Sequence, residues 1–201
     1  MKPRELIVSP CEVREIRDFI ERNHYSHSIN GVKVSYCFKV EYRDQLCGAV
    51  LFGGLSTTAW KKFGEVESAV LELRRLVLVE EAEKNSESRV IGQCIRWITK
   101  NAPLVKTIVS YADPSYNHIG TIYKASNFLY IGRSGKDVGF KDPTTGKVYH
   151  SRALRTKYKG EFKPFVKRLR ALKDQGRLIP ITLDGKFCYV YTLKRREVAK
   201  R

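Results

Sequence analysis

Two histidines stand three apart in Arg22-Asn23-His24-Tyr25-Ser26-His27-Ser28, with a tyrosine and a serine between them. Imidazoles at that spacing can share a metal ion where the chain turns, provided a third ligand such as Asp113 or His118 joins them. No cysteine is close in the sequence, so the donors would be nitrogen and oxygen. That set suits iron or manganese as well as zinc. Without a metal, neutral His24 has the right protonation range for a general base. The plainer alternative is a polar loop whose histidines lie on a surface facing a polyanion.

Arg74 and Arg75 are consecutive in Glu-Leu-Arg-Arg-Leu-Val-Leu-Val, residues 72–79, which reads as a strand. Alternation puts Leu71, Leu73, Arg75, Val77 and Val79 on one face and Glu72, Arg74, Leu76 and Leu78 on the other. One guanidinium then faces the packed side and needs a partner, which Asp113 on a neighbouring strand end can supply. The alternative is that both reach solvent by snorkelling. Asp113 follows the strand Ile108–Ala112, which carries Tyr111, and precedes Pro114, which restricts its backbone. Such strand-to-helix junctions are the usual place for a site in an α/β protein.

Arg89 and Gly92 fall in the first turns of a helix opening at Ser86, where unpaired N–H groups suit a phosphate or carboxylate. The alternative is a plain helix in which Gly92 permits close packing on a sheet. Trp60 lies in a loop between Gly54 and Gly64, where an exposed indole can stack on a base. Trp97 and Tyr123 fall on helical stripes and read as core.

The elements that must position these groups follow from periodicity. Ser9-Pro10 reads as the opening of a helix with Val13, Ile16, Phe19 and Ile20 on one face, ending near Asn23. Two strands, within 34–42 and 46–54, are joined at Arg43-Asp44-Gln45 as a hairpin. Residues 55–69 read as an irregular excursion. A strand at 70–79, a helix from Ser86 that Pro103 ends and a strand from Lys106 to Tyr111 make a β-α-β unit with adjacent parallel strands. A helix over Asn117–Ser126 and a strand over Leu129–Ile131 follow. Residues 133–177 are basic and turn-rich, with a short helix at Phe162–Leu172. Two further strands lie at 178–185 and 186–196. The expected fold class is α/β (an α+β mixed sheet), a single domain over 1–201 with a basic insertion at 133–177.

The chain has 38 Lys and Arg against 21 Asp and Glu, a formal net charge of +17, yet is 42 % apolar and 11 % aromatic. That describes a folded domain with a positive surface, which attracts nucleic acid or anionic lipid. No run of about 18 apolar residues is present, and the opening residues lack the apolar stretch of a signal peptide. Five cysteines, Cys11, Cys37, Cys47, Cys94 and Cys188, form no metal-binding pair. Four of them fall in apolar stretches as buried, reduced fillers. In the basic insertion the residues expected to hold DNA phosphates are Lys147, Arg152, Arg155, Lys157, Lys159, Lys163, Lys167, Arg168 and Arg170, with Trp60 as the stacking residue outside it.

The segments 72–79, 88–98, 109–132 and Asn23–His27 together resemble the Mom DNA-modification family of bacteriophage Mu, and the likeness covers most of the chain. The resemblance implies a fold like the Gcn5-related N-acetyltransferases (GNAT). It also implies carbamoylmethylation of adenine N6 in double-stranded DNA as protection from host restriction. It picks out His24, Tyr25, Arg75, Tyr111 and Asp113 as positions important for activity, with iron at His24 and Asp113. Acetyl-CoA is the group donor the fold suggests, held at Arg89 and Gly92. Acetyltransferases show Gln/Arg-x-x-Gly-x-Gly/Ala there; Arg89-Val90-Ile91-Gly92 begins that pattern, but Cys94 takes its last position. The expected partners are double-stranded DNA, a small-molecule group donor and a second copy in a homodimer, with no membrane. The expected location is the cytoplasm of a bacterial host, for a protein encoded by a phage or prophage. Two competing classes are an ordinary CoA-dependent N-acyltransferase, which the basic insertion disfavours, and a non-catalytic DNA-binding protein, which has no need of Asp113.

Overall fold

The structure, a computed structural model, describes residues 1–29, 31–55, 58–64 and 66–194. These form two compact units. The first comprises Met1–Ala112, Ile119–Gly132 and the chain from Phe187, and the second Asp113–His118 and Arg133–Lys186.

The first unit is built on a seven-stranded mixed sheet. Its strands are β1 (Ile7–Pro10), β2 (Val34–Tyr42), β3 (Gln45–Gly53), β4 (Val70–Leu78), β5 (Thr107–Ala112), β6 (Leu129–Arg133) and a last strand, Phe187–Thr192, that sits between β5 and β6. The hairpin between β2 and β3 turns through Arg43 and Asp44, both at positive φ. β4 and β5 pair in parallel, as the β-α-β pattern requires, but only from Val70–Leu73 against Thr107–Ser110. Beyond that point β4 runs on to Leu78 and β5 to Ala112.

Helix α1 (Val13–Asn23) covers one face of the sheet, and α2 (Ser86–Asn101) the other. Ile16, Phe19 and Ile20 of α1 pack with Cys37, Ala49, Leu51 and Ile29. Val90, Ile91, Cys94, Ile95 and Ile98 of α2 join the largest cluster, with Phe38, Val50, Phe52, Leu71, Leu73 and Ile108. Trp97 packs edge-on against Phe38, ring centroids 5.3 Å apart. Cys37, Cys47, Cys94 and Cys188 are buried and unpaired, as their apolar settings predict.

Two local expectations change. Ser9 and Pro10 do not open α1. They extend β1 against Lys39 and Phe38, and the helix starts at a reciprocal capping box in which the Glu12 N–H donates to Glu15 Oε1. The helix expected over Asn117–Ser126 shrinks to α3 (Thr121–Ala125). Gly120 precedes it at φ +77°, and a β-carbon there would lie 2.2 Å from the Tyr189 ring. Only glycine combines that backbone with that contact. The excursion expected over 55–69 contains 3-10 turns at Ala59–Lys62 and Glu67–Ala69; Ser56, Thr57 and Glu65 lie outside the described residues.

The second unit has its own small sheet, with β7 (Asp137–Lys141) between β8 (Val148–His150) and a strand at Ile179–Leu183, and a two-residue ladder of β9 (Lys157–Tyr158) with β10 (Glu161–Phe162). Helix α4 (Pro164–Asp174) sets Leu169 against Leu154 and Leu178, with Phe140, Tyr149 and Leu172 around them. The last two strands, Ile179–Leu183 and Phe187–Thr192, are β11 and β12. Of the chain's 38 basic and 21 acidic residues, this unit holds fifteen and six, so positive charge is concentrated in its smaller span.

Candidate active site

A bulge in β4 sets the geometry of the first unit. Leu51 of β3 lies opposite Arg75, and the next residue, Phe52, lies opposite Leu73, so Arg74 is an extra residue in the ladder. Leu71 and Leu73 therefore face the α2 cluster, whereas Arg75 falls beside Leu51 and Val77 on the α1 side. Arg74 reaches Glu72, which alternation also puts opposite Leu71 and Leu73, with Nε 3.4 Å from Glu72 Oε2. The expectation that the two arginines take opposite faces is thus overturned. The expected single face for Leu71, Leu73, Arg75 and Val77 is broken at the same point.

Arg75 also finds a different partner from the one foreseen. Its Nε and Nη2 both donate to the Ser28 carbonyl at 3.2 Å, and Nη1 donates to the Arg74 carbonyl at 2.7 Å. Burial lowers the guanidinium's pKa, with the Tyr25 and Glu72 charges opposing and Arg74 reinforcing that shift. The fork ties the segment after α1 to the sheet. In that segment His24 is buried, and its Nδ1 accepts from the Ser26 N–H at 3.1 Å and lies 2.8 Å from Ser26 Oγ. An accepting Nδ1 leaves the proton of neutral His24 on Nε2. The Tyr25 ring lies over the imidazole, centroids 4.2 Å apart. His27 is exposed, and its Nδ1 is 3.0 Å from the Glu21 carbonyl.

The same face of β5 and β12 carries Tyr111 and Cys188, directly paired across the ladder. Trp60, Phe63, Tyr111 and Val190 pack around buried Leu55, Val70, Val109 and Cys188. Trp60 is half-buried, with the Lys61 ammonium 5.7 Å from its ring centroid. Burial raises the Tyr111 phenol well above its usual range, and the charges of Cys188 and Glu72 add to the shift. Tyr111 is therefore a hydrogen-bond donor at neutral pH. On the α2 side, burial pushes Tyr123 up to about 12.

Arg89 and Gly92 line a cavity of about 570 Å³ at the start of α2, together with Lys2, Arg4, Glu83, Asn85, Ser88 and Arg96. Gly92 does not serve close packing against the sheet, because a β-carbon there would meet only the Arg96 guanidinium, at an ordinary 3.6 Å. Sequence reasoning missed Lys2 and Arg4. They reach the cavity because the first residues dock beside α2, with the Glu83 N–H donating to the Met1 carbonyl and Gln93 Nε2 to the Leu6 carbonyl. Four cations and the helix N-terminus suit an anion of phosphate type.

Asp113 belongs to the second unit, where it pairs with Lys186 at 2.8 Å and accepts from the Ser115 N–H at 3.0 Å. Burial opposes its ionisation, but Lys186 and Ser115 outweigh that and hold its pKa below the usual carboxylate value. Among the described residues no group of three or more His, Cys, Asp and Glu is arranged to hold a metal ion. The iron expected at His24 and Asp113 therefore finds no support in a ligand cluster, and His24 Nδ1 is engaged by Ser26.

The basic residues expected to hold DNA lie exposed on the second unit. Lys147 is in the turn before β8, Arg152 and Arg155 are on the 3-10 turn Ser151–Arg155, and Lys157 and Lys159 fall in and after β9. Lys163 stands at the N-cap of α4, and Lys167, Arg168 and Arg170 run along the helix. Arg170 also has a structural share, donating to the Leu154 carbonyl and stacking on Phe162 at 4.6 Å. Phe165, exposed beside Tyr149, is an aromatic in this basic field that the sequence reading passed over.

The fold is that of the GNAT acetyltransferases. A GNAT-family acetyltransferase from Streptococcus pneumoniae is similar with a TM-score of 0.50 at 8 % identity, over 94 % of this chain and 100 % of that one. Arabidopsis thaliana NAA60, solved with acetyl-CoA, is similar with a TM-score of 0.52 at 10 % identity, over 93 % and 99 %. Residues 5–201 match the model of the Mom protein family, and the chain belongs to that family. It is 39 % identical over 132 residues to "Methylcarbamoylase mom" of Escherichia phage Mu. The match takes in 64 % of this chain and spans about half, 54 %, of that relative's length. Among the described residues no helix is long and apolar enough to cross a membrane.

Proposed function

We propose that the chain is a transferase that places a carbamoylmethyl group on the exocyclic N6 of adenine in double-stranded DNA, protecting the DNA from host restriction endonucleases. The observation that carries this reading is its likeness to the phage Mu methylcarbamoylase within a family match that runs nearly the length of the chain. Its +17 charge supports DNA as the partner.

In this reading the basic insertion, residues 133–177, grips the phosphates, and the adenine leaves the stack to reach the first unit. Trp60 supplies an aromatic surface for it. His24, Tyr25, Arg75, Tyr111 and Asp113 form the set required for transfer. Arg75 acts by fixing the segment that carries His24 and Tyr25, and Tyr111 acts as a donor to a ring nitrogen. The donor is a small molecule with phosphate groups, of the CoA kind that NAA60 was solved with. Lys2, Arg4, Arg89 and Arg96 would hold those phosphates. A bound donor of this class supplies an activated carbon for the amine to attack.

Plasmid DNA from cells expressing the chain tests the reading simply. Endonucleases whose sites contain adenine should cut it poorly, while cutting DNA from cells lacking the chain. Equal cutting of both would count against the proposal.

A further inference from the structure

We propose that Cys11 and Cys37 are a redox-active pair, which closes to a disulfide by exchange with a small-molecule disulfide such as oxidised glutathione and reopens in excess thiol. The inference is independent of the transferase reading and adds a modification site to the first unit.

Cys11 directly follows β1. The β1–β2 register, with Pro10 opposite Phe38, carries on to set Cys11 opposite Cys37. The Cys11 N–H donates to the Cys37 carbonyl at 3.1 Å, so the two backbones are still in ladder contact there. Directly opposed residues of an antiparallel pair have Cα atoms about 4.5–5.5 Å apart. A disulfide spans about 4.4–6.8 Å. Opposed side chains also leave the sheet on the same face, and both cysteines pack in the cluster under α1. There the thiols meet. Cys11 donates to the Cys37 sulfur, and the Cys37 thiol donates to the Cys11 carbonyl at 2.7 Å. The other three cysteines are engaged elsewhere: Cys47 with the Val40 carbonyl, Cys94 in the α2 cluster and Cys188 opposite Tyr111.

The two thiols differ in access. Cys11 is partly exposed and Cys37 is buried. Their contact lowers the Cys37 pKa against the effect of burial, and it raises that of Cys11. The pair therefore gives up a first proton more readily than an ordinary thiol and shares the second between its sulfurs. Lys39 favours charge on Cys11, whereas Glu15 opposes it on both sulfurs and Glu12 opposes it on Cys37.

The exchange runs in two steps. The Cys11 sulfur, as thiolate, attacks one sulfur of the small disulfide and expels a thiolate, which takes up a proton. Cys37, as thiolate, then attacks the Cys11 sulfur of the mixed disulfide and expels the second small thiolate. Two cysteine thiols become one disulfide, and the small disulfide is reduced to two thiols, so electrons and protons balance. The new bond closes a loop over a sequence separation of 26 residues, which contains all of α1 and the segment His24–Ser28. It restricts the unfolded chain far more than the folded one, where the sulfurs already meet.

The test holds the purified chain in glutathione buffers of rising oxidised-to-reduced ratio, then quenches with acid, alkylates and maps peptides by mass spectrometry. A peptide joining Cys11 to Cys37 should appear and should vanish on treatment with dithiothreitol. The oxidised protein should melt higher by about 5 °C or more. Cys37→Ala should instead retain glutathione on Cys11, because the resolving sulfur is gone, and Cys11→Ala should take up none at Cys37. Folded wild-type protein with both thiols still alkylated at the most oxidising ratio overturns the proposal. So does a glutathione adduct that persists on Cys11 in wild type, since Cys37 then fails to resolve it. A bond from either cysteine to Cys47, Cys94 or Cys188 overturns it equally. The wild-type map decides the matter even where an alanine variant fails to fold.

Discussion

Arg74 and Arg75, consecutive in the chain, lie on the same face of β4 because Arg74 is the extra residue of a β-bulge. One guanidinium turns toward Glu72 and Gly54, and the other toward Ser28. Strict alternation would have sent one of them into the apolar cluster under α2, where no counter-charge waits. The bulge removes that cost and joins the segment after α1 to the sheet.

Arg75 cannot be exchanged for lysine at this position. A single ammonium cannot span the Ser28 and Arg74 carbonyls as the planar fork does. Arg75→Lys and Arg75→Ala should both reduce modified adenine at least about tenfold and leave duplex affinity unchanged. Amide hydrogen exchange at 24–28 should rise in both. Slow exchange there, with product at the wild-type level, would show that the tie is dispensable.

The bulge explains why part of the site was hidden in the sequence. Periodicity gave β4, β5 and α2 correctly, because Leu71, Leu73, Val90, Ile91 and Cys94 carry a strong apolar pattern. A one-residue insertion in a ladder changes no residue type, so Arg74 and Arg75 looked like ordinary alternating neighbours. The capping box at Glu12 and Glu15 was overlooked because Ser9-Pro10 is a commoner opening signal. Arg89 and Gly92 were legible as a helix start, but Lys2 and Arg4 enter the same cavity from more than eighty residues away. Glu72 was placed only on the strand face it shares with Arg74, Leu76 and Leu78.

Gly120→Ala should cost about 2–4 kcal/mol. The added methyl group meets the Tyr189 ring, whose hydroxyl donates to the Ile119 carbonyl at 2.6 Å, and alanine disfavours the positive φ. Chemical denaturation would measure it. A variant as stable as wild type would mean that Tyr189 moves freely.

Asp113→Asn should show a pH-dependent loss of stability. The carboxyl's pKa is lowered in the fold, so its contribution is present above the unfolded value of 3.8 and lost as pH falls through the folded value. The variant should melt lower than wild type at pH 7, by about 1 kcal/mol or less because Lys186 is half-exposed. Well below pH 3.8 the two proteins should melt alike. A gap that widens on acidification would contradict the ion pair.

Glutamine at Lys147, Arg155, Lys167 and Arg168 should weaken binding to all duplex sequences alike. The slope of log affinity against log salt should flatten by up to about 3–4, near 0.9 for each phosphate no longer neutralised. A folded quadruple variant with the wild-type slope would move the DNA interface elsewhere.

The most direct measurement is mass spectrometry of deoxynucleosides from a plasmid propagated with the protein. The account predicts a new deoxyadenosine heavier by one carbamoylmethyl group, with the added mass staying on the base when the sugar is lost. The other three nucleosides should be unchanged. A plasmid whose deoxyadenosine is wholly unmodified, recovered from cells that contain folded protein, would contradict it.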